Sequence, residues 1–306
     1  MHESMQSLLR KYQLTVADHL GSGMEAQVYR YGPNEVLKFY RQPCDMEYMQ
    51  RLERFYRAIN RHKYPFEMPE ILEVSADLGY VVVRERRVHG TNLQTILPTL
   101  TPAQLTTVMQ RYCDTTMAVA QITLTDKPSC GLQMSNPTWQ YGISDWHAWW
   151  WARVQQVLTQ SGVYPFLQRD VPQLARLLVY LQAYLSQPYQ GDYVLVHGDL
   201  YPGNLLVDDA LHIRAVLDFS QHTMWGDPHY DIATSWVWFD MYDELECDAN
   251  NQYLAVLQQR FGTNLTQRWH VYVLLYSIIS ANHFDVMCQD GHYRWCVNNL
   301  NNWGLA

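Results

Sequence analysis

Residues 194–207 read VLVHGDLYPGNLLV, two apolar β-like runs held apart by a His, an Asp and an Asn. A continuous buried strand excludes all three, since a polar side chain withdrawn from water without partners costs roughly 2–7 kcal/mol. YPGN at 201–204 is turn chemistry, with proline presetting one dihedral and Gly and Asn tolerating the bend. The stretch therefore predicts strand, polar loop, strand, with His197, Asp199 and Asn204 carried by the loop. Further on, AVLDFS ends another apolar run on Asp218. Turn chemistry would account for any one of these residues, so their meaning depends on whether other polar positions fall in a consistent order along the chain.

Residues 15–40 alternate apolar and polar positions around glycines, the period-2 pattern of two or three strands. LGSGMEAQVY places Gly21 and Gly23 between two of them, with Ala26 where a third glycine could stand and Val28 two residues later. Glycines let a hairpin backbone lie close over phosphates, although a GxG at a strand end is by itself an ordinary turn. EVLKFY then sets Lys38 in a β-like run, where an ammonium needs a charged partner. Glu47, in the first turns of the following helix, is the candidate, and Glu53 is a second acid on that helix. The helix itself is read from Met46, Met49, Leu52, Phe55 and Ile59, which recur at helical spacing.

Two more strands are expected near 70–75 and 79–85, and from residue 89 the pattern turns helical, at 102–122, 145–160, 171–187 and in several segments after 228, interrupted by a β stretch at 193–217. The expected class is α+β, with a small β-rich lobe over residues 1–88 and a larger, mainly helical lobe over 89–306, a reasonable division for a chain of 306 residues. Residues 1–86 hold 12 Lys/Arg and 12 Asp/Glu, so the net charge of −8 falls entirely after residue 86, where all 11 Trp also lie. An acidic chain without a basic stripe argues against nucleic acid as the main partner. The apolar run VYVLLYSII at 271–279 is far too short for a membrane helix, and no signal-like segment opens the chain, so the expectation is a cytoplasmic protein without a membrane partner. Six cysteines without a CxxC pair or metal-ligand spacing read as reduced thiols.

Glycine loop, strand lysine, helix glutamate, HxDxxxxN and strand-end Asp, in that order, resemble the protein-kinase-like fold. More narrowly, VHGDLYPGNLLV, AVLDFS and GDPHYDIA are similar to the aminoglycoside phosphotransferase and choline kinase family, which phosphorylates hydroxyl groups of small molecules. The resemblance runs from residue 15 to about 240. It implies a two-lobed fold with ATP or GTP between the lobes: Gly21, Gly23 and Val28 around the phosphates, Lys38 on the α/β-phosphates and held by Glu47, and the backbone of Glu85 and Arg86 at the hinge. It further implies Asn204 and Asp218 as oxygen ligands for Mg²⁺, and Asp199 as acceptor of the attacking hydroxyl's proton. His197 would anchor the catalytic loop and Asp231 would support it.

Two departures narrow the substrate. Gly198 stands where protein kinases carry Arg, so loop phosphorylation has no charge to act through. Only 12 residues separate Asp218 from Asp231, too few for a protein-docking segment. GDPHYD reads first as a helix start, with Asp227 as N-cap, Pro228 as first helical residue and Asp231 in the first turn. Beyond it, Asp231, Asp240, Asp243, Glu244, Glu246 and Asp248 precede any Lys or Arg. Trp236 and Asp240, four apart on a predicted helix, share one face. With Asp243 they are the candidates for holding a cationic alcohol, such as an aminoglycoside or choline. The alternatives are a metabolic kinase of choline, homoserine or a sugar, and a nucleotide-binding regulator without catalysis. The oligomeric state has no signature in the chain.

Overall fold

Strand alternation organises the N-terminal part of the computed structural model, which describes residues 2–23, 26–41, 45–60, 62–124, 131–132, 143–241, 245 and 248–302. After helix α1 (His2–Lys11), strands β1 (His19–Ser22), β2 (Ala26–Tyr31) and β3 (Glu35–Tyr40) form a meander. Helix α2 (Met46–Ile59) follows, and β4 (Ile71–Asp77) and β5 (Tyr80–Arg86) complete an antiparallel sheet in the order β1-β2-β3-β5-β4. Because side chains alternate along a strand, the sheet has two apolar faces. Leu37, Phe39 and Val82 close one of them against Leu8 of α1. Tyr40, Val81 and Val83 on the other join the stripe Met49, Leu52, Phe55, Tyr56 and Ile59 of α2. Lys38 sits on this second face, opposite Val28 on β2 and Val83 on β5.

The chain leaves β5 through Gly90, whose φ of +155° suits glycine and whose added Cβ would come within 2.9 Å of the Leu206 side chain and 3.0 Å of the Val207 carbonyl. The link is thus pressed against the strand that follows the polar loop. Next come β6 (Thr91–Asn92), α3 (Leu93–Ile96), α4 (Pro102–Val119), β7 (Gly131–Leu132), α5 (Trp146–Gln160), α6 (Tyr164–Asp170) and α7 (Leu174–Leu185). The β stretch expected at 193–217 resolves into β8 (Val194–Val196), β9 (Leu205–Val207) and β10 (Ile213–Val216), and β11 (Met224–Gly226) follows. Two small sheets result, β10-β9-β6 and β7-β11-β8, and they pin the two ends of the polar loop. Helices α8 (His229–Val237), α9 (Ala249–Phe261), α10 (Thr266–Ser280) and α11 (Gly291–Asn302) complete the chain.

The run at 271–279 belongs to α10, which packs on α5, α8 and α11 and buries Val271 to Leu275. Among the described residues no helix is long and apolar enough to cross a membrane. Trp146, Trp149 and Trp150 of α5 pack with Tyr230 and Tyr272, a wholly structural use of the Trp-rich segment. Cys113, Cys288 and Cys296 are buried free thiols, and the other three cysteines lie outside the described residues.

Candidate active site

The polar loop begins where β8 ends. His197 is fully buried and its Nε2 donates to the Leu217 carbonyl at 2.8 Å, which leaves Nδ1 to accept from the Asp199 N–H at 3.3 Å. Burial lowers the pKa of the ring, as suits a neutral imidazole whose two nitrogens play opposite roles. The residue therefore staples the loop to the segment that carries Asp218. Asp231, buried in the first turn of α8, accepts the N–H groups of His197 at 2.7 Å and Gly198 at 2.9 Å. Burial lifts its carboxyl to about 7, with the two N–H donors pulling the other way.

Gly198 holds the loop's closest approach. Its φ is +81°, and an added Cβ would lie 1.9 Å from the His222 carbonyl oxygen. That carbonyl is fixed by a tight turn in which Ser220 N–H donates to Thr223 Oγ1, His222 N–H to Ser220 Oγ, and Thr223 N–H to the Ser220 carbonyl. An Arg at 198 has no room here, which is the physical content of the glycine noted in the sequence.

Asp199 and Asn204 face each other across the loop. Asn204 Nδ2 donates to the Asp199 carbonyl at 2.8 Å and to its Oδ2 at 3.3 Å, which turns the amide oxygen away from Asp199. Burial raises the Asp199 carboxyl above its ordinary range, against the pull of His197. The shift makes it a better proton acceptor at neutral pH. Asp218 stands at φ +56°, a left-handed conformation that costs a non-glycine residue about 1–2 kcal/mol. The side chain is half exposed, and Lys38 holds the carboxyl below its usual range.

Lys38 reaches this site from the sheet, 3.2 Å from Asp218 Oδ1 and 3.0 Å from Glu85 Oε2. Burial works against its charge, but Asp218 and Glu85 outweigh it and raise its pKa well above the ordinary value. The expected Lys38–Glu47 pair is not formed. Glu47 is 74% exposed and bonded to Arg51 one turn on, at 2.9 Å. Its position explains why: two residues before Met49, it is rotated about 200° from that residue and falls outside the buried stripe. Glu53 likewise bonds Arg57.

The other expected positions are placed as follows. Gly21 pairs with Val28 at the β1–β2 turn, and Gly23 N–H donates to the Ala26 carbonyl at 2.9 Å. An added Cβ at Gly21 or Gly23 would find open space, so close packing within the chain does not require either glycine. The hinge expectation at Glu85 and Arg86 is corrected. Glu85 lies inside the β3–β5–β4 ladder, and the N–H groups of Arg86 and Arg87 already donate to Glu70 and Asn34 carbonyls. The first stretch beyond the ladder is 88–90. Trp236 does not line a cleft either: it is buried, donates to the Asn250 carbonyl at 3.1 Å and stacks on His270. Helix α8 ends at Val237 and a 3₁₀ turn, Trp238–Met241, follows, so the helical relation of Trp236 to Asp240 is broken. The Asp240 side chain and the whole of Asp243 lie outside the described residues.

Two features escaped sequence reasoning. Asp227 accepts the His229 N–H just before α8, whose N-cap position falls to Pro228 and not to Asp227 as expected, and it is fully buried against Arg268 at 2.5 Å and Tyr272. Nothing local in the sequence announces a partner 41 residues away. The second is a line of rings beside the loop: Tyr201 meets Trp238, Trp238 meets Tyr276, and His222 meets His283, which is followed by Phe284. Burial, and then the Asp199 charge, raise the Tyr276 phenol. His283 is exposed, and Phe284 is 53% exposed.

An ion at this site has two oxygen donors available, the Asn204 amide and the Asp218 carboxylate. Among the described residues no three His, Cys, Asp or Glu side chains form a metal site by themselves. This donor set suits Mg²⁺, which takes few protein ligands and completes its shell with water and phosphate oxygens.

The sequence profile of the phosphotransferase enzyme family (APH) matches residues 17–268. No curated protein matches the chain. Similar solved structures include a thermostable mutant of aminoglycoside phosphotransferase APH(4)-Ia in its apo form, with 20% identity, 97% of each chain covered and a TM-score of 0.73. The GDP complex of wild-type aminoglycoside 2'-phosphotransferase-IIIa is similar at 12% identity, over 98% of this chain and 97% of that one, with a TM-score of 0.65. So is APH(3'')-Id from Streptomyces rimosus with ADP and streptomycin, at 17% identity, over 91% and 99%, with a TM-score of 0.59. These likenesses establish the two-lobed, protein-kinase-like fold.

Proposed function

The chain belongs to the phosphotransferase enzyme family, and from that premise we propose that it transfers the γ-phosphoryl group of Mg²⁺·ATP or Mg²⁺·GTP to a hydroxyl of a small molecule. The observation that carries this reading is the meeting of Lys38 with Asp218 at 3.2 Å, 180 positions apart in sequence, beside the Asp199–Asn204 pair. The nucleotide would lie between an N-terminal lobe, residues 1–88, and a C-terminal lobe, residues 89–306. Gly21, Gly23 and Val28 would cover its phosphates, with the base at the link after β5.

In the proposed reaction the acceptor oxygen attacks the γ-phosphorus, the bond from that phosphorus to the β-bridging oxygen breaks, and the nucleoside diphosphate leaves. The acceptor's proton passes to Asp199, late, because the transition state is loose. Lys38 places an ammonium on the phosphates, where charge accumulates. Asn204 and Asp218 would hold Mg²⁺, which would supply positive charge beside the phosphates. His197, Gly198 and Asp231 fix the loop so that Asp199 need not reorganise.

The acceptor is a cationic hydroxyl compound such as an aminoglycoside on this reading. The acidic run from Asp240 to Asp248 and the ring faces of Tyr201, Tyr276 and His283 support it. The exposed Phe284 beside those rings favours a second acceptor class, an uncharged ring-bearing alcohol. Intact Lys38, Asp199, Asn204 and Asp218 weigh against a non-catalytic regulator, and the nucleotide requirement fits the cytoplasm. The test is nucleotide turnover against aminoglycosides, choline, homoserine, sugars and aromatic alcohols, with Asp199→Ala as blank. Turnover on one acceptor, lowered at least ~10³-fold in Asp199→Ala, is expected. Turnover equal in the two proteins would refute the assignment of Asp199.

A further inference from the structure

We infer that Glu85, on the strand next to Lys38, is the residue that positions Lys38, and that the lysine is therefore set by the sheet and not by the orientation of α2. The inference rests on the reading above only in assigning the Lys38 ammonium to the nucleotide.

The geometry follows from strand register. Lys38 pairs with Val83 and Val36 pairs with Glu85, so Lys38 and Glu85 are diagonal neighbours on one face of adjacent antiparallel strands. Their charged groups meet at 3.0 Å with side chains 15% and 5% exposed. A carboxylate this deep is tolerated only when paired, and Lys38 is the cation within reach. Glu47, by contrast, points into solvent and is held by Arg51. The groups facing the Lys38 ammonium are Glu85 from β5, Asp218 after β10, Tyr40 from its own strand and Tyr56 from α2. Of the two carboxylates, Asp218 is half exposed and is the one that would hold Mg²⁺. Glu85 lies on the strand beside Lys38 and is not among the residues that would hold the ion.

The consequence is regulatory. Where a lysine depends on a helix for its counterion, displacement of the helix disarms the site. Here both partners sit in one hydrogen-bonded ladder, so the counterion of the lysine does not come from α2.

The experiment reads Lys38 directly, through the rate of its acetylation by an amine-reactive ester in the nucleotide-free protein. Peptide mass spectrometry follows modification across pH 7–10. Removing one carboxylate from beside the ammonium lowers its pKa, and one unit makes the neutral amine about tenfold more abundant. Glu85→Gln is expected to speed Lys38 acetylation about tenfold. Glu85→Asp, which keeps the charge and withdraws it by one methylene, should fall between Glu85→Gln and the parent. Glu47→Gln should leave the rate within about twofold of the parent, less than a third of a pKa unit. A rate in Glu85→Gln equal to that of the parent, or an acceleration in Glu47→Gln matching that of Glu85→Gln, would overturn the inference. Should Glu85→Gln not fold, Glu85→Asp decides by the same comparison. If no acceptor is ever phosphorylated, the proposed function falls but the acetylation result still stands. Where turnover is found, Glu85→Gln should raise the KM for Mg²⁺·nucleotide as well as lower kcat, with Glu85→Asp recovering part of both.

Discussion

Gly198→Ala adds one methyl group at the loop's closest contact. The added Cβ would stand 1.9 Å from the His222 carbonyl oxygen and 2.7 Å from its carbon, where real Cβ contacts stay beyond 3.0 Å. The obstacle is backbone, held by the three hydrogen bonds of the 220–223 turn, so no side-chain rotation relieves it. The loop and the turn must separate by about 1 Å or more, an overpacking that costs roughly 1–3 kcal/mol. Holding alanine at φ +81° adds about 1–2 kcal/mol. Asp199 is the next residue, and a misplacement of about 1 Å in a catalytic group lowers the rate on the order of 10²-fold. The assay is paired: thermal unfolding of the nucleotide-free protein, and turnover on whichever acceptor the panel identifies. A stability loss of about 2–5 kcal/mol with turnover reduced about 100-fold is expected. Gly198→Ala with parental stability and turnover within a few-fold would refute the reasoning, because the contact would then be dispensable.

Two further outcomes follow from burial. His292 is driven down to about 4 by desolvation, with the nearby carboxylate of Asp290 only partly restoring it. Its folded pKa is below its unfolded one, so its contribution to stability is present above about pH 6.5 and is lost as pH falls toward 4. The parent should lose about 1–2 kcal/mol more than His292→Gln between pH 7 and pH 5 in urea unfolding. The difference must be read between the two proteins, since raised carboxyls such as Asp231 act in the opposite sense, favouring the fold as pH falls below about 7. Equal pH slopes would remove His292 as a source. Trp236→Phe, which deletes the bond to Asn250 and reduces the ring area stacked on His270, should lower stability by about 1–3 kcal/mol and leave the acceptor KM unchanged. A raised KM at parental stability would return Trp236 to the acceptor site.

Much of the site was legible because it rests on local patterns. The turn YPGN and the flanking apolar runs announced a polar loop, and that loop is where His197, Asp199 and Asn204 stand. The β-like run EVLKFY set Lys38 on a strand without any knowledge of what lay opposite. Even the failure of Glu47 was readable, since the spacing that predicted α2 also puts Glu47 off its buried stripe.

What the sequence by itself determined is therefore the order of motifs and the periodicity of each element, properties that depend on neighbours within a few residues. The tertiary structure decided the pairings. Glu85 became the partner of Lys38 through the register of β3 on β5, and Gly198 became indispensable through a turn 24 positions later in the chain. Asp227 acquired Arg268 and Tyr272 from α10, and Trp236 was drawn into the core by Asn250 of α9 and His270 of α10. Each of these is set by where one element lies against another. A sequence period fixes which face a residue occupies, and only packing determines what that face meets.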